Sequence, residues 1–358
     1  MNLKKTTVFN YFFILCTISP LTGDGVWVNY GWELFDHVTN ARIAALGNAT
    51  TAYAMPTAAA ALVNPFFVFE SQNKVELTHQ SRFAGLINSD ILSGQVMIQK
   101  KTRMGFNVLY EGIGSIPDTR ETLLDWGLDG VFGTQDAGEG NGILDEGERL
   151  DGDQVRYFSQ QQVGIHGAFL GKIRGLSLGL GVKVLSYSLD THYALGLGMD
   201  LGMIKKINNI DFGFVMRNIP SSGLIWDHGM IETTTPSMAF GLHVPYSSET
   251  LPLEMHTLMN VNFSGNTRHL GSQIRSGTIS LDSSFGVEAI VKKRLSFRFG
   301  KNQLGNMTGG LGVLWTGFGV DYAFLASDLN SGLGNHHLLT LRISPDWIRA
   351  FILVDQEL

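Results

Sequence analysis

From Leu176 to Leu201 the chain alternates with a period of two. Leu176, Leu178, Leu180, Val182 and Val184 share one face of an extended segment, and Ser177, Gly179, Gly181 and Lys183 share the other. Tyr193, Leu195, Leu197, Met199 and Leu201 then oppose Ala194, Gly196, Gly198, Asp200 and Gly202. The pattern returns near the C-terminus. Leu295, Phe297 and Phe299 oppose Ser296, Arg298 and Gly300, and Phe318, Val320, Tyr322 and Phe324 oppose Gly319, Asp321 and Ala323. Two architectures produce such alternation: a soluble antiparallel sandwich with its apolar face inward, or a membrane barrel with that face toward lipid. The small face favours the barrel. A soluble sheet covers its wet side with Lys, Glu and Thr, whereas Gly, Ser and Ala suit a lumen already crowded by another part of the chain.

Fourteen strand-like segments run from 74–83 to 336–347, several of them near or beyond the ~10 residues that cross a bilayer at a tilt. Tyr110, Tyr157, Tyr187, Trp315 and Trp347 fall near segment ends, where membrane-interface girdles form. The expectation is an all-β fold, a ~14-stranded antiparallel transmembrane β-barrel over residues 73–347. Composition agrees. Charged residues are 16% of the chain, below the roughly 25% of soluble domains, and 43 glycines make roughly 12% against a typical ~7%. Mean hydropathy is +0.08, and beyond the leader no apolar run reaches the ~18 residues of a spanning helix.

Residues 1–23 read as a signal peptide, with Lys4 and Lys5 before an apolar run centred on Phe12, Phe13, Ile14 and Leu15. The single cysteine, Cys16, lies inside this leader, so the mature chain has no disulfide, thiolate metal site or thiol nucleophile. Residues 24–72 form a plug or hatch segment, and 348–358 a C-terminal tail. Within the plug, Ala44, Ala45, Ala52 and Ala58 to Ala61 are small enough to approach a glycine-lined wall, and Pro65 should end the segment.

The stretch NARIAALGNATTAYAMPTAAAALVNPF, Asn40 to Phe66, lies between the leader and the strands. It resembles the N-terminal segment of the PorV/PorQ family of outer-membrane barrels, relatives of the FadL-type transporters. Leu46-Gly47, Ala52-Tyr53 and Asn64-Pro65 match the family pattern "ALG-AY-A---A---NPA". Phe66 replaces its final Ala, and Met55-Pro56 stands where an acidic pair is usual. Asp321-Tyr322-Ala323, Leu333-Gly334-Asn335, His336-His337 and Leu339-Thr340-Leu341 resemble the family's C-terminal end, with the arginine displaced to Arg342. Arg217-Asn218-Ile219 is similar to its mid-chain turn, without the glycine. The resemblance implies a non-enzymatic protein in the outer membrane of a Gram-negative bacterium. It also implies a role beside type IX protein secretion or surface attachment, with outer-membrane lipid, other secretion-system proteins and exported cargo as partners, and no nucleic acid. The alternative is a FadL-like channel for hydrophobic small molecules.

Catalytic constellations are absent. Gly175-Leu176-Ser177-Leu178-Gly179 matches the nucleophile-elbow spacing, but it opens an alternating strand rather than a strand-to-helix turn. Of the ten histidines, none forms an i, i+2 or i, i+4 pair of metal-site type, and His336 and His337 point to opposite faces of a strand. One segment does carry chemistry. Asp125 to Asp153, within an insertion at 115–154, holds six Asp and three Glu against Arg149, a net of −8 in a chain of −6. Its GEGNGILDEGE core has the spacing of a calcium loop. With Gly142 sixth, Glu139 is third, Asn141 fifth, the Ile143 carbonyl seventh, Asp145 ninth and Glu148 twelfth. Position one falls on Ala137, with Asp136 one residue early. A Ca²⁺ ion in an extracellular loop and a solvated acidic loop both fit this pattern.

Overall fold

The computed structural model describes residues 25–27, 32–68, 75–99, 102–265, 272–277, 279–327 and 334–345. The leader with Cys16, Leu333, Trp347 and the C-terminal tail lie outside the described residues. Seven strands form the first half of the sheet: β1 (Val75–Arg82), β2 (Ile87–Gln99), β3 (Thr102–Asp118), β4 (Arg156–Ile173), β5 (Leu176–Leu189), β6 (His192–Ile207) and β7 (Ile210–Arg217). Seven more complete it: β8 (Ser237–Ser247), β9 (Leu253–Ser264), β10 (Ile279–Val291), β11 (Leu295–Lys301), β12 (Met307–Leu314), β13 (Phe318–Leu325) and β14 (His336–Ile343). Each pairs antiparallel with the next, and β14 pairs back onto β1 from Ile343↔Val75 to His337↔Ser81, which closes a fourteen-stranded barrel. Around this ring every strand has a partner on both sides, as a strand assembly in lipid requires.

The longest connections share one end of the barrel. Turns such as 174–175, 208–209 and 292–294 gather at one end, and long excursions at 119–155, 218–236 and 265–278 at the other, which in outer-membrane barrels is the extracellular end. The β4–β5 turn shows how local chemistry sets register. Arg174 and Gly175 both have positive φ, the two-residue form whose twist matches a hairpin. Gly175 is therefore a turn residue and Ser177 a strand residue, so no nucleophile elbow forms.

The alternation partitions the faces as the sequence pattern requires. Leu195, Leu197, Phe297, Phe299, Leu311 and Leu339 point outward and are exposed, Leu197 to 64%. Leu178 and Leu180 lie on the same outer face and are half-buried by their neighbours. Tyr110, Tyr157 and Trp315 are exposed, whereas Tyr187 turns inward and packs on Trp226 with ring centroids 5.3 Å apart, so it belongs to no girdle. Its odd number places it on the inner parity of β5 with Leu185.

Inside the barrel, residues 32–68 fold as short turns rather than one helix: α1 (Leu34–His37), α2 (Ala41–Ala45), α3 (Ala60–Val63) and a 3-10 turn, Pro65–Val68. Asn40 caps α2 by accepting from the Ile43 N–H at 2.9 Å. Pro65 opens the 3-10 turn instead of ending the segment, because proline has no N–H to leave unpaired at a first helical position and its φ is preset for the turn. The segment is buried almost throughout and is bonded around the ring. Gln95 of β2 donates to the Phe67 carbonyl, and Asn260 of β9 donates to the Asn48 carbonyl and to Thr51. Thr308 of β12 donates to the Ala45 carbonyl, and Thr340 of β14 accepts from the Ala41 N–H. Glycine makes this fit sterically. A Cβ on Gly213 would overlap the Thr51 carbonyl, and one on Gly179 would overlap the Phe66 backbone nitrogen.

The lumen is nonetheless not merely small. Its wall carries buried Glu76, Arg82, Glu111, Lys183, Asp200, Glu288, Arg298, Asp321 and Arg342. All but Glu76, which accepts from Asn40 and Thr57, are ion-paired: Lys183 Nζ is 2.8 Å from Asp200, Arg82 bonds Glu111, and Arg298 bridges Glu288 and Asp321 at 2.7 Å each. The expectation of a wall dominated by Gly, Ser and Ala is corrected to glycine where backbone presses on backbone and ion pairs elsewhere.

Two outcomes follow from this geometry. Leu197→Arg should destabilise the inserted barrel by ~2–4 kcal/mol if it lies near the bilayer centre; a cysteine at 197 that labels readily with a water-soluble maleimide in intact membranes would contradict the assigned face. Gly213→Val, which drives a side chain into the inner segment's backbone, should cost about 1–3 kcal/mol in detergent unfolding. Gly171→Ala, where a Cβ meets nothing within 4 Å, should be close to neutral.

Candidate functional site

At the long-loop end the wall is notched. Above Arg217 the chain leaves β7, and a hairpin, Ser222–Trp226 with Ile231–Thr234, takes over as the partner of β6 at 194–197. β8, β9 and β10 do not follow it upward. Ser237, the first residue of β8, pairs with Ser264, the last of β9, which pairs with Ser280 of β10. On its far side the hairpin pairs with Gly25–Trp27, parallel to Ile231–Thr233, and the ladder of β8 to β10 ends below it.

A cleft of about 120 Å³ opens at this notch. Its inner side is apolar, built by Trp32, Phe35, Val38, Ile43 and Leu62 of the inner segment. Its floor is polar, with Asn260, Asn262, Asp282 and Ser284 from the inner faces of β9 and β10. Its outer border includes Met238 and Phe263, cross-strand partners on the lipid-facing parity of β8 and β9. The lining thus passes from the lumen to the membrane face without crossing a strand.

Several polar atoms of this lining are buried with no protein partner: Trp32 Nε1, Thr39 Oγ1, Asn48 Oδ1, Asn260 Oδ1 and Ser284 Oγ. An unpaired buried donor or acceptor costs ~1–3 kcal/mol, so each of these atoms calls for a partner, which water in the cleft can supply. The Lys183 ammonium lies over the Trp32 ring, 5.8 Å from its centroid. The sequence reading missed all five because each is an unremarkable residue type whose position alone is unusual.

Below the cleft, an ion chain anchors the inner segment. Arg42 Nη2 donates to Glu288 at 2.7 Å, Tyr53 donates to the same oxygen at 2.8 Å, and Arg342 lies 2.7 Å from Asp321. Burial pushes the Tyr53 phenol up, so it remains a hydrogen-bond donor.

The acidic loop is ordered by its own backbone. Asp125 accepts from Gly140 and Gly142 at 2.7 Å each, and these N–H groups, Gly142 first, hold its carboxyl below the usual carboxylate range. Glu139 accepts from Gly133 and Gln135, Glu148 from Gly127 and Asp145, and Asp136 from Asp129. Asn141 donates to Asp145 at 2.6 Å and accepts from the Ile143 N–H. Asp145 and Glu148 come together with Asn141, while Glu139 faces the opposite arm of the loop. Among the described residues, no three of the loop's carboxylates bring oxygen atoms within 4.8 Å of one another. One oxygen, Asp136 Oδ1, is buried without a partner. His336 and His337 serve the rim, His337 bonding the Tyr322 hydroxyl at 2.8 Å and His336 packing edge-on to Phe83.

No protein-family model matches the chain, and no curated protein matches it in sequence. Solved structures do match. The toluene transporter TodX of Pseudomonas putida aligns over 85% of this chain and 98% of its own, at 12% identity and a TM-score of 0.51. The Ralstonia pickettii toluene transporter TbuX (11% identity, 85% and 96% covered, TM-score 0.46) and a Pseudomonas aeruginosa FadL homologue (10%, 86% and 98%, 0.45) are further neighbours. At such identities the likeness concerns fold. The closed fourteen-stranded ring, the apolar outer belt and the chain folded within it make this an outer-membrane β-barrel of FadL-like architecture.

Proposed function

We propose that the protein is a non-enzymatic channel that passes amphipathic small molecules between the extracellular end of the barrel and the membrane. The observation that carries this reading is the cleft whose lining joins the buried inner segment to the lipid-facing Met238 and Phe263. An apolar body would lie along Trp32, Phe35 and Ile43, and a polar end would meet Asn260 and Ser284. Apolar contact supplies affinity and a few fixed polar atoms supply orientation, the usual division in small-molecule sites. The solved barrels that this chain is similar to include two toluene transporters, which supports the same reading.

Ser284→Trp would fill the cleft floor from the wall of β10. In proteoliposomes loaded with the purified protein, uptake of a fluorescent medium-chain fatty acid should fall about tenfold in this variant. Equal uptake by native protein, variant and empty vesicles would overturn the channel reading.

The PorV/PorQ-like motifs support a second reading, an accessory of type IX secretion or surface attachment. It rests on sequence alone. Secretion-system subunits recovered with the protein from mild-detergent outer membranes would favour it, and co-purified lipid would favour the channel.

We also propose that calcium binds the acidic loop, through Asp136, Glu139, Asn141, the Ile143 carbonyl, Asp145 and Glu148. Nine carboxylates within one excursion repel one another unless a cation screens them, and the buried, unpartnered Asp136 Oδ1 is a ready ligand. Glu148→Gln should make the loop protease-sensitive in calcium while the barrel remains intact. Equal proteolysis in calcium and in chelator, with no calorimetric heat, would leave a solvated acidic loop.

A further inference from the structure

The first residue of β6 and the tip of the hairpin bring three metal-ligating side chains together at the extracellular rim. His192 Nδ1 lies 3.2 Å from Asp227 Oδ1, and His228 Nδ1 lies 3.1 Å from the same oxygen. All three ligand atoms fall within 4.8 Å of one another, and they are the only such group of His, Cys, Asp or Glu among the described residues. We infer that His192, Asp227 and His228 form a site for a divalent transition metal of the Zn²⁺ class, with a further coordination position open to solvent.

The distances carry the chemistry. Zn–N and Zn–O bonds of ~2.0–2.1 Å give a tetrahedral edge of roughly 3.3 Å between ligand atoms, and both histidine–aspartate separations are close to that edge. Two imidazoles turn the same ring nitrogen toward one carboxylate oxygen, whereas the exposed His79–Asp90 contact is a simple pair. Imidazole and carboxylate are donors that borderline cations accept, and two neutral imidazoles with one carboxylate leave the site a single negative charge for a dication.

The ligands are also positioned before any metal arrives. Asp227 N–H donates to the Tyr193 carbonyl at 2.9 Å, which ties the hairpin tip to the residue after His192. Trp226 N–H donates to Met230 and Gly229 N–H to Trp226, both at 2.9 Å, so the turn is closed on itself. Gly229 has φ +89, the left-handed conformation that lets the chain reverse directly after His228. A bound cation would cross-link β6 to this hairpin, whose Thr234 end borders the cleft. The metal would fix one edge of the notch.

The test uses full-length barrel purified in detergent with a tag that contains no histidine. Calorimetry should give one Zn²⁺ per chain, and Co²⁺ should produce visible absorption of the four-coordinate type. His192→Gln and His228→Gln should each weaken Zn²⁺ binding at least about tenfold, while His79→Gln leaves it unchanged. Heat-modifiable migration on gels reports that each variant remains a folded barrel. No saturable Zn²⁺ binding by folded native protein, or undiminished binding in folded His192→Gln and His228→Gln, would overturn the assignment. Uptake of fatty acid is a separate readout, so failure of the metal site and failure of the channel reading are distinguishable.

Discussion

Everything inside the barrel depends on one buried run of alternating charge. Arg42 of the inner segment meets Glu288 of β10, Glu288 meets Arg298 of β11, Arg298 meets Asp321 of β13, and Asp321 meets Arg342 of β14. Removing an ion from water costs several kcal/mol, and attraction offsets this only where geometry is close and remaining donors are used. Here each carboxylate lies between two guanidiniums, and Tyr53 adds a neutral donor to Glu288. Arginine suits the role because it stays charged when buried and its planar fork serves two partners at once, as Arg298 does. The arrangement adds little net stability over an apolar core of equal volume. What it adds is position, since any rotation of the inner segment leaves a guanidinium or carboxylate buried alone.

The strands themselves were legible. Fourteen segments, including those that become β5 and β6, follow from alternation because lipid outside and a filled lumen inside enforce opposite chemistry on successive side chains. Charge on the inner face was visible at Lys183, Asp200, Arg298 and Asp321, yet its meaning was not. A buried, paired arginine and a solvated one look alike along a strand, and only register brings Glu288 opposite Arg298. The same limit hid the cluster of His192 with His228, which lie 36 positions apart in the chain and meet only because the hairpin folds back on β6. Tyr187 failed for a related reason. Its proximity to a strand end suggested a girdle, whereas parity, which counts from Leu185, turns it inward. The cleft left no trace in sequence, because a notch is a property of where three strands stop.

The notch and the hairpin are two sides of one topological event. When β7 stops at Arg217, β6 still has backbone groups to satisfy at 194–197, and the strand Ser222–Trp226 supplies them. β8 loses that neighbour and begins only at Ser237. On the β6 side the ladder resumes at 194–197 after an interruption at 198–200, and on the other side the hairpin pairs with Gly25–Trp27 rather than with β8.

The inner segment precedes β1 in the chain, yet Ala41 is bonded to Thr340 on the final strand, 299 residues later. The ladder between β1 and β14 is likewise the last that can form, since its two halves lie at opposite ends of the polypeptide. Sealing the ring and enclosing the segment are therefore one event. A chain without β14 keeps thirteen strands that can pair, but Arg342 is missing from the charge run, and both free edges and the segment's polar atoms are exposed together. Contacts of such long sequence separation make folding slow and concerted. For this barrel that order of assembly is also a checkpoint: no closed pore can form with its interior still outside.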